Sequence, residues 1–334
     1  MRRRDVTLGL LLAGASRSLR AQVPANQRRI AIVIPAGPAA RINDPESRYW
    51  QTFWEELRRL GDVQGQNLIV EGYSGEGRPE GYADLAREVI GHSPEVIVAI
   101  TGPVVQALRA ATGTIPIVWI TVDPIAGGLV TSLAHPGGNI TGVSLFDFET
   151  YAKRLQILKD AVPAASRVAY LSPRRAWQDT GGQALQRALQ QVGGRLHMSV
   201  IPMLIEDSTP SEYQRAFAEI APERLDGLIV SDIGDLFPYR QLIVELAERS
   251  RLPAIFGIRE YVEAGGLMAY QADQIELYRR MADDVHEILN GTKPGDIPIY
   301  QASKFEFIIN LKAAEALGLT IPPSLLALAD EVIE

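Results

Sequence analysis

Cysteine is absent from all 334 residues of this sequence. That absence excludes a disulfide framework, a thiolate nucleophile, a two-cysteine racemase, cysteine-ligated zinc or iron–sulfur sites and a lipid-bearing cysteine. Histidine is scarce as well, because only 4 are present, scattered along the chain with no near pair and no H-E-x-x-H motif. We therefore expect no metal site and no cofactor.

The common catalytic and nucleotide-binding motifs are also missing. There is no G-x-S-x-G nucleophile elbow and no G-x-x-x-x-G-K-[ST] loop. The loose spacing of Gly75, Gly77 and Gly81 encloses Pro79, so it indicates a strand-to-helix loop rather than a dinucleotide fingerprint. A glycosidase that uses two carboxylates stays open, because such residues meet only in the fold. Nothing else argues for catalysis, and we predict that the protein is not an enzyme.

Apolar runs are short, and the most informative one lies near the start. Residues 2–4 are arginines, residues 6–15 are apolar except for one threonine, and Ala21 precedes a glutamine. This layout is typical of a secretory signal peptide and is too short for a transmembrane helix. The paired arginines also fit twin-arginine export. We predict that residues 1–21 are removed and that the protein is periplasmic; the alternative is a disordered basic leader on a cytosolic protein.

Basic residues are fewer than acidic residues in this sequence. The chain has a net charge of −7, and residues 1–21 contain five arginines and one aspartate, so 28 basic and 39 acidic residues remain after cleavage, a net charge of −11. This balance disfavours nucleic acid and anionic membranes as partners. No second apolar run reaches the roughly 18 residues that a membrane span needs. We expect no nucleic-acid partner and no direct membrane insertion.

The sequence does contain a regular alternation of β-branched apolar runs and amphipathic helices. Residues 29–34 predict a strand buried on both faces, and Asp44-Pro45 predicts the N-cap and first turn of a helix that ends at Gly61. The same order continues to residue 120 and restarts between residues 151 and 257. The rhythm predicts an α/β fold of two Rossmann-like lobes, each with a parallel sheet.

One glycine-rich segment, 137–142, lies between the two alternating stretches, and another, 265–270, follows the second stretch. Together they predict a hinge of several chain crossings. The predicted lobes are residues 28–143 plus 268–298 and residues 144–267 plus 299–334. Ligands of open α/β sheets lie beyond the carboxyl ends of the strands, so we expect a ligand in the cleft between the lobes.

Several long segments carry a family resemblance. They are 115–118, 123–130, 133–143 (LAHPGGNITGV), 259–268, 304–314 and 316–326. This pattern resembles the substrate-binding proteins of ABC importers, in the subgroup related to tryptophan- and tyrosine-binding proteins. The resemblance implies a type I periplasmic-binding fold, a small-molecule solute, permease subunits of an ABC transporter as partners, and a monomer.

Two loops depart from the family pattern, at 172–177 and 231–235, so the ligand is open to differ from an aromatic amino acid. Two other functions remain as alternatives. One is the effector-binding domain of a regulator, which is disfavoured because the leader occupies the place of a DNA-reading helix-turn-helix. The other is a secreted α/β enzyme, either a hydrolase or a transferase.

Candidate ligand contacts in the first lobe follow its strands. They are Ala36, Gly37, Thr101, Gly102, Thr121 and Asp123. Thr101-Gly102 opens a helix, where free backbone N–H groups and the helix dipole favour a carboxylate. The alternative is a plain threonine N-cap with glycine in the turn. Asp123 either pairs with a ligand ammonium or holds its own loop before Pro124.

Candidates in the second lobe and on the second crossing complete the predicted site. They are Ser172, Trp177, Ser231, Asp232, Phe256, Arg259 and Tyr270. Trp177 and Phe256 are expected to form apolar walls. Arg259 either clasps a carboxylate in bidentate fashion or forms a salt bridge with Glu260 or Glu263. Tyr270 is expected to close over the ligand.

Overall fold

A computed structural model of the protein describes residues 27–121, 124–125, 127–145, 148–220 and 223–334. The predicted signal peptide lies outside these residues. Runs of β-branched and other apolar side chains form the strands, because such residues pack well on a buried pleated surface. In chain order the described strands are β1 (Arg28–Ile34), β2 (Leu68–Ser74), β3 (Val96–Ile100), β4 (Ile117–Thr121), β5 (Ile140–Ser144), β6 (Arg167–Pro173), β7 (Ser199–Ile205), β8 (Gly227–Val230), β9 (Ala254–Phe256), β10 (Met268–Ala272), β11 (Tyr300–Gln301), β12 (Phe305–Asn310) and β13 (Glu331–Ile333).

Amphipathic helices connect most of the strands. They are α1 (Arg48–Leu60), α2 (Tyr82–Gly91), α3 (Gly102–Ala111), α4 (Phe148–Ala161), α5 (Arg174–Gln178), α6 (Thr180–Leu196), α7 (Pro210–Ile220), α8 (Arg240–Arg249), α9 (Arg259–Glu263), α10 (Gln274–Leu289), α11 (Leu311–Ala316) and α12 (Pro323–Leu326). Short 3-10 turns cover Ala39–Asn43, Pro79–Gly81, Gly234–Tyr239 and Pro294–Asp296. In the part of the chain that is described, no helix combines the length and the apolar character that a bilayer crossing requires.

Helix α1 begins later than the sequence predicts. The carboxylate of Asp44 accepts a hydrogen bond from the backbone N–H of Glu46 at 2.9 Å, which forms a local turn instead of a helix cap. Ser47 is the N-cap, and its side chain accepts from the N–H of Trp50. The predicted end is confirmed, since Gly61 adopts the left-handed conformation with φ 97°.

The first sheet has six strands in the order β11-β5-β4-β3-β1-β2, and all described pairs in it are parallel. Alternate residues of its central strands pack into two separate cores, one on each face of the sheet. This is the helix-covered parallel sheet that the sequence predicts for the first lobe.

The second sheet has seven strands in the order β13-β12-β10-β9-β8-β6-β7. Its pairs are parallel except for β10 and β12, which are antiparallel. The exception follows from the connection between them. The chain leaves β10 at the cleft end of the sheet, passes through the first lobe, and returns into β12 from the same end, so β12 runs in the opposite direction.

The assignment of strands to the two sheets gives lobe boundaries that differ from the predicted ones. Strand β10 belongs to the second sheet, whereas the predicted boundary at 268 places it in the first lobe. Strand β11 pairs with β5 of the first sheet, whereas the boundary at 299 places it in the second lobe. The crossings therefore lie after β5, after β10 and after β11, not in the glycine-rich segments. Two of them are tied together, because the N–H of Asp273 donates to the carbonyl of Lys304 at 2.9 Å.

Helix α10 follows the second crossing and packs against α1 in the first lobe. It buries one carboxyl group, Asp284, whose residue is 8% exposed. Its Oδ2 has no hydrogen-bond partner among the described residues. Burial, and then the charges of Glu287 and Asp283, raise the pKa of Asp284 well above its ordinary value of 3.8.

We expect Asp284→Asn to remove a pH dependence from the stability of the protein. Because the folded-state pKa is raised, the favourable contribution of Asp284 is complete below its unfolded-state pKa near 3.8 and is lost as the pH rises through the folded-state value. Urea unfolding at about pH 5 and about pH 8 measures this loss. Glu287→Gln, which removes an exposed carboxylate one turn away that contributes less than burial to the raised pKa, should reduce the pH dependence only in part. Equal pH dependence in the parent and Asp284→Asn would contradict the assignment.

Candidate functional site

The carboxyl ends of the two sheets face each other, and loops from both lobes are in contact there. Pro35 follows β1, Thr101 follows β3, and Gly234 lies beyond β8 of the opposite lobe. A Cβ atom on Gly234 would lie 3.2 Å from Pro35 Cγ and 3.2 Å from Thr101 Cγ2, which leaves little space for a side chain. The structure therefore brings the predicted first-lobe loops against the predicted 231–235 loop.

Thr101 has a backbone conformation that threonine rarely adopts, with φ 78° and ψ 147°. A β-branched residue at positive φ is a true outlier and costs roughly 1–3 kcal/mol. Its hydroxyl makes no capping bond to α3, so the interpretation of Thr101 as a plain side-chain N-cap is wrong. Half-buried Gly102 is the first residue of α3, where backbone N–H groups have no partner within the helix. Strain of this kind is typical of ligand sites.

The loop after β1 is held in place by a neighbouring strand. Gly37 has φ 79°, and its carbonyl accepts a hydrogen bond from the hydroxyl of Ser74. A Cβ on Gly37 would lie 3.2 Å from Arg41 Cδ and 3.3 Å from Arg41 Nη1, so the arginine lies directly over this loop. Ala36, beside it, is half-buried. The predicted pair Ala36 and Gly37 thus lies next to a guanidinium group.

The remaining first-lobe candidates follow β4. Thr121 is the last residue of that strand and is paired in register with Ser144 of β5, so its backbone lies at the carboxyl edge of the sheet. Asp123 lies outside the described residues.

Two serines end strands of the second lobe at the cleft. Ser172 is 2% exposed, and its hydroxyl donates to the carbonyl of Pro173 at 3.3 Å. Ser231 is 4% exposed, and its Oγ has no hydrogen-bond partner among the described residues. A buried hydroxyl without a partner costs stability, and a bound solute would satisfy it.

Asp232 is held by an arginine that the sequence analysis does not single out. Arg154 of α4 is 1% exposed, and its Nη1 lies 2.9 Å from Asp232 Oδ1 and 2.8 Å from Oδ2. Its Nε donates to the carbonyl of Tyr270 at 2.8 Å. The backbone N–H of Asp232 donates to the hydroxyl of Tyr151 at 3.2 Å. Arg154 therefore joins the loop after β8 to strand β10, which leads into the second crossing.

Arg154 keeps its positive charge beside Asp232. Burial lowers the pKa of Arg154, but the charge of Asp232, together with the hydrogen bond to it, raises that pKa further, so the guanidinium stays protonated. Burial also raises the pKa of Tyr151 to about 12, which keeps its phenol neutral. The pair is an internally neutral part of the second-lobe side of the cleft.

The sequence contains one signal for this ion pair. Tyr151, Leu155 and Leu158 follow one another at helical spacing and are all buried. Arg154 lies on the same stripe of α4. A charged residue within an apolar helical stripe is almost never fully buried unless it is paired, so its position indicates a buried carboxylate partner.

One of the two predicted apolar walls, Phe256, does not line the cleft. Phe256 is 0% exposed and stacks on Tyr261 with 4.7 Å between ring centroids, inside the core of the second lobe, so its assignment as a wall is wrong. Trp177 is half-buried and lies against Tyr170 with 5.2 Å between centroids, at the edge of another core. Residue type alone predicted apolar contact and could not distinguish core from cleft.

Arg259 is occupied by other side chains. It pairs with Glu331 of β13, and its Nη1 lies 3.8 Å from Glu263, so the salt-bridge alternative describes it and the carboxylate clasp does not. Its backbone N–H donates to the side chain of Gln271 at 2.7 Å. Tyr270 is half-buried on β10 and stacks on Phe305 with 5.5 Å between centroids.

Further contacts between the lobes lie beside the site and were not predicted. The ring of Phe237 in the second lobe lies near two guanidinium groups. Arg41 Cζ of the first lobe is 5.2 Å from the ring centroid, and Arg240 Cζ is 4.7 Å from it. Tyr49 of α1 donates its hydroxyl to Glu260 of α9 at 3.2 Å. Burial, and then the nearby Glu263, raise the pKa of Glu260.

One cavity, of about 520 Å³, adjoins the edge strand β2 beside the candidate site, and Gly37 and Ser74 line it together with Tyr73 and Glu88. Another of about 260 Å³ lies between α8 and α11 and is lined largely by apolar side chains. Thr101 and Asp232 line neither cavity, so the facing loops and not cavity size identify the candidate site. Within the described residues, no group of histidine and carboxylate side chains is arranged to hold a metal ion.

Sequence comparison links the chain to a family of known proteins. A model of the family described as ABC transporter substrate binding protein matches residues 44–333. The tyrosine-binding protein of Clostridioides difficile (strain R20291) is 26% identical over 268 residues, which covers 80% of this chain and 75% of that protein.

Solved structures share the architecture. A conserved domain protein from Vibrio cholerae is similar with a TM-score of 0.82 and 26% identity, over 92% of this chain and 99% of that one. The ABC domain of Streptococcus pneumoniae in complex with L-Trp gives a TM-score of 0.81 with 22% identity, over 92% of this chain and 100% of that one. The predicted fold of two parallel-sheet α/β lobes is confirmed.

Proposed function

Since this chain belongs to the family of ABC transporter substrate-binding proteins, we propose that it is the extracytoplasmic solute-binding component of an ABC importer. Members of this family bind solutes and are not enzymes. The two lobes close on a small organic solute and present it to membrane permease subunits. The contact of Gly234 with Pro35 and Thr101 carries this proposal, because it places the strained first-lobe loop and the second-lobe loop at one position.

The proposed solute is an aromatic amino acid or a related carboxylate. Free N–H groups at the start of α3 favour a carboxylate, and α3 is 10 residues long, so its dipole contributes. The unpartnered Ser231 hydroxyl supplies a second polar contact from the opposite lobe. Relatives named for tyrosine and bound to L-Trp support an aromatic body.

The proposed location is the periplasm, with residues 1–21 removed on export and the mature chain working as a monomer. The acidic balance of the chain supports a partner other than nucleic acid. A ligand that binds both lobes favours closure by its differential affinity for the closed form.

A thermal-shift screen against aromatic amino acids and small carboxylates tests the proposal. A ligand at about a hundred times its Kd adds roughly 2.7 kcal/mol to the stability of the folded state, which gives a shift of several degrees. A shift with an aromatic amino acid or carboxylate, together with the protein in the periplasmic fraction, is the expected result. No shift with any compound, or retention in the cytosol, would contradict the proposed function.

Replacing Ser231 by alanine should separate stability from binding. We expect Ser231→Ala to leave the free energy of unfolding unchanged or to raise it by about 1 kcal/mol, because it removes a buried hydroxyl without a partner. The same change should weaken solute binding several-fold. Ser172→Ala is the matched control, since it removes an equally buried hydroxyl that has a partner, and it should lower stability by about 1 kcal/mol. Destabilisation by Ser231→Ala with unchanged affinity would show that its hydroxyl serves the fold alone.

A further inference from the structure

We propose that Arg41 binds the carboxylate of the solute, and that the solute carries no ammonium group. This inference rests on the proposed function, because it takes the cleft between the lobes as the solute site. It assigns a role to a first-lobe arginine for which the described residues provide no anionic partner, and it narrows the class of solute.

Arg41 lies where the lobes meet. Its side chain covers the Gly37 loop, with Cδ and Nη1 at 3.2 and 3.3 Å from the position of a Cβ there. Its Cζ lies 5.2 Å from the ring centroid of Phe237 in the opposite lobe. Thr101, which carries the strained backbone, and Arg41 both contact the short second-lobe segment Gly234–Tyr239. The guanidinium is therefore at the same junction as the predicted carboxylate site.

The guanidinium of Arg41 has no carboxylate partner among the described residues, and it lies over the Phe237 ring. Three other arginines differ, because Arg154, Arg175 and Arg259 each pair with an aspartate or a glutamate. Arg240, at the same ring, donates to the backbone carbonyl of Phe237 instead. A guanidinium presents five N–H donors in a planar fork that matches a carboxylate. Held half-buried against an aromatic ring, Arg41 is preorganised to receive one.

The second-lobe loops are already neutralised. Asp232 has both oxygens within 2.9 Å of Arg154, and Asp235 pairs with Arg175. Gly257 encloses the first pair so tightly that a Cβ there would lie 1.6 Å from Asp232 Oδ1. An ammonium group needs a carboxylate whose charge is not compensated. Among the described residues of this loop, these two aspartates cannot supply one without breaking their own ion pairs, which favours an anion over a zwitterion.

Glu260 does not supply the unpaired carboxylate that a solute ammonium group would need. Burial is the largest influence on its carboxyl group and raises its pKa, although the hydrogen bond accepted from Tyr49 at 3.2 Å acts in the opposite direction. Ser231 adds an unpartnered hydroxyl, which serves a solute oxygen as well as it serves a nitrogen. The described groups of the junction thus comprise an unpaired cation, a free hydroxyl and paired anions.

Isothermal titration calorimetry with matched probes tests the inference. The probes are phenylpropanoate, its primary amide and L-phenylalanine, with the hydroxyphenyl and indole analogues of each. We expect the acid to bind at least about 10-fold more tightly than either the amide or the amino acid. We expect Arg41→Gln to weaken the acid by roughly 10- to 100-fold, the usual effect of one charge-assisted hydrogen bond, and to leave the amide nearly unchanged. Arg240→Gln is the control, because it removes the second guanidinium near the Phe237 ring and should not distinguish acid from amide.

The outcomes separate this inference from the proposed function. Tighter binding of L-phenylalanine or its analogues than of the acids would overturn the inference and leave the importer role in place. Equal effects of Arg41→Gln on acid and amide would show that Arg41 only holds the lobes together. Failure of every probe to bind would overturn both the proposed solute class and this inference.

Discussion

Replacing Arg154 by methionine is expected to lower the free energy of unfolding by about 3–5 kcal/mol, the usual result of removing one partner of a buried ion pair. Arg154 is 1% exposed, and its loss leaves Asp232 without a counter-charge and the carbonyl of Tyr270 without its donor. Urea unfolding followed by circular dichroism measures the change. The structural reason is desolvation, because the remaining carboxylate is held away from water with no compensating cation.

Two control variants make this prediction specific. Arg154→Met combined with Asp232→Asn should be less destabilised than the sum of the single variants, because the double variant leaves no buried charge. Arg215→Met removes a partly exposed arginine of α7 that pairs with Glu212 and with exposed Glu219, and it should cost at most about 1 kcal/mol. Additive losses in the double variant, or equal losses for Arg154→Met and Arg215→Met, would contradict the assigned pair.

Gly257→Ala is expected to destabilise the second lobe by about 1–3 kcal/mol and to abolish solute binding. A Cβ on Gly257 would lie 1.6 Å from Asp232 Oδ1 and 2.6 Å from Arg154 Nη2, so the ion pair must move to admit a methyl group. The displaced pair changes the loop after β8, which faces Thr101. Unfolding by urea and calorimetric titration with the solute found in the thermal-shift screen measure the two effects.

Gly194→Ala is the matched control for this substitution. Gly194 lies inside α6 of the same lobe, and no atom would come within 4 Å of a Cβ placed on it. Since alanine is the better helix former, Gly194→Ala should stabilise the protein by up to about 1 kcal/mol and leave binding unchanged. Full binding by Gly257→Ala would contradict the role of the ion pair in shaping the cleft.

Much of the fold follows from local patterns. Short apolar runs and amphipathic helices alternate so regularly that two parallel-sheet lobes are predicted, and Gly61 ends α1 as its position indicates. The boundaries do not follow, because they depend on pairing between distant segments. Strand β10 belongs to the second sheet through its contacts with β9 and β12, and glycine content carries no information about that pairing.

The candidate site is only partly predictable for a related reason. The sequence indicates Thr101 because a helix starts after it. In the structure its backbone is strained at the point where the lobes meet. Phe256 was assigned by residue type and lies in a core. The order of residues does not reveal the roles of Arg41 and Arg154. Arg154 matters because it pairs with Asp232 in a buried position, and Arg41 matters because no described carboxylate pairs with it.

The central claim is that the solute binds between the two lobes. A reversible disulfide across the cleft tests it most directly. The chain has no cysteine, so Thr101→Cys with Gly234→Cys introduces a single possible disulfide. Thr101 Cγ2 lies 3.2 Å from the position of a Cβ on Gly234, which is within about the reach of such a bond. Calorimetric titration of the oxidised and reduced forms with the solute from the thermal-shift screen is the measurement. We predict no binding to the oxidised form and recovery on reduction, because the locked lobes exclude the solute; equal binding by both forms would contradict the claim.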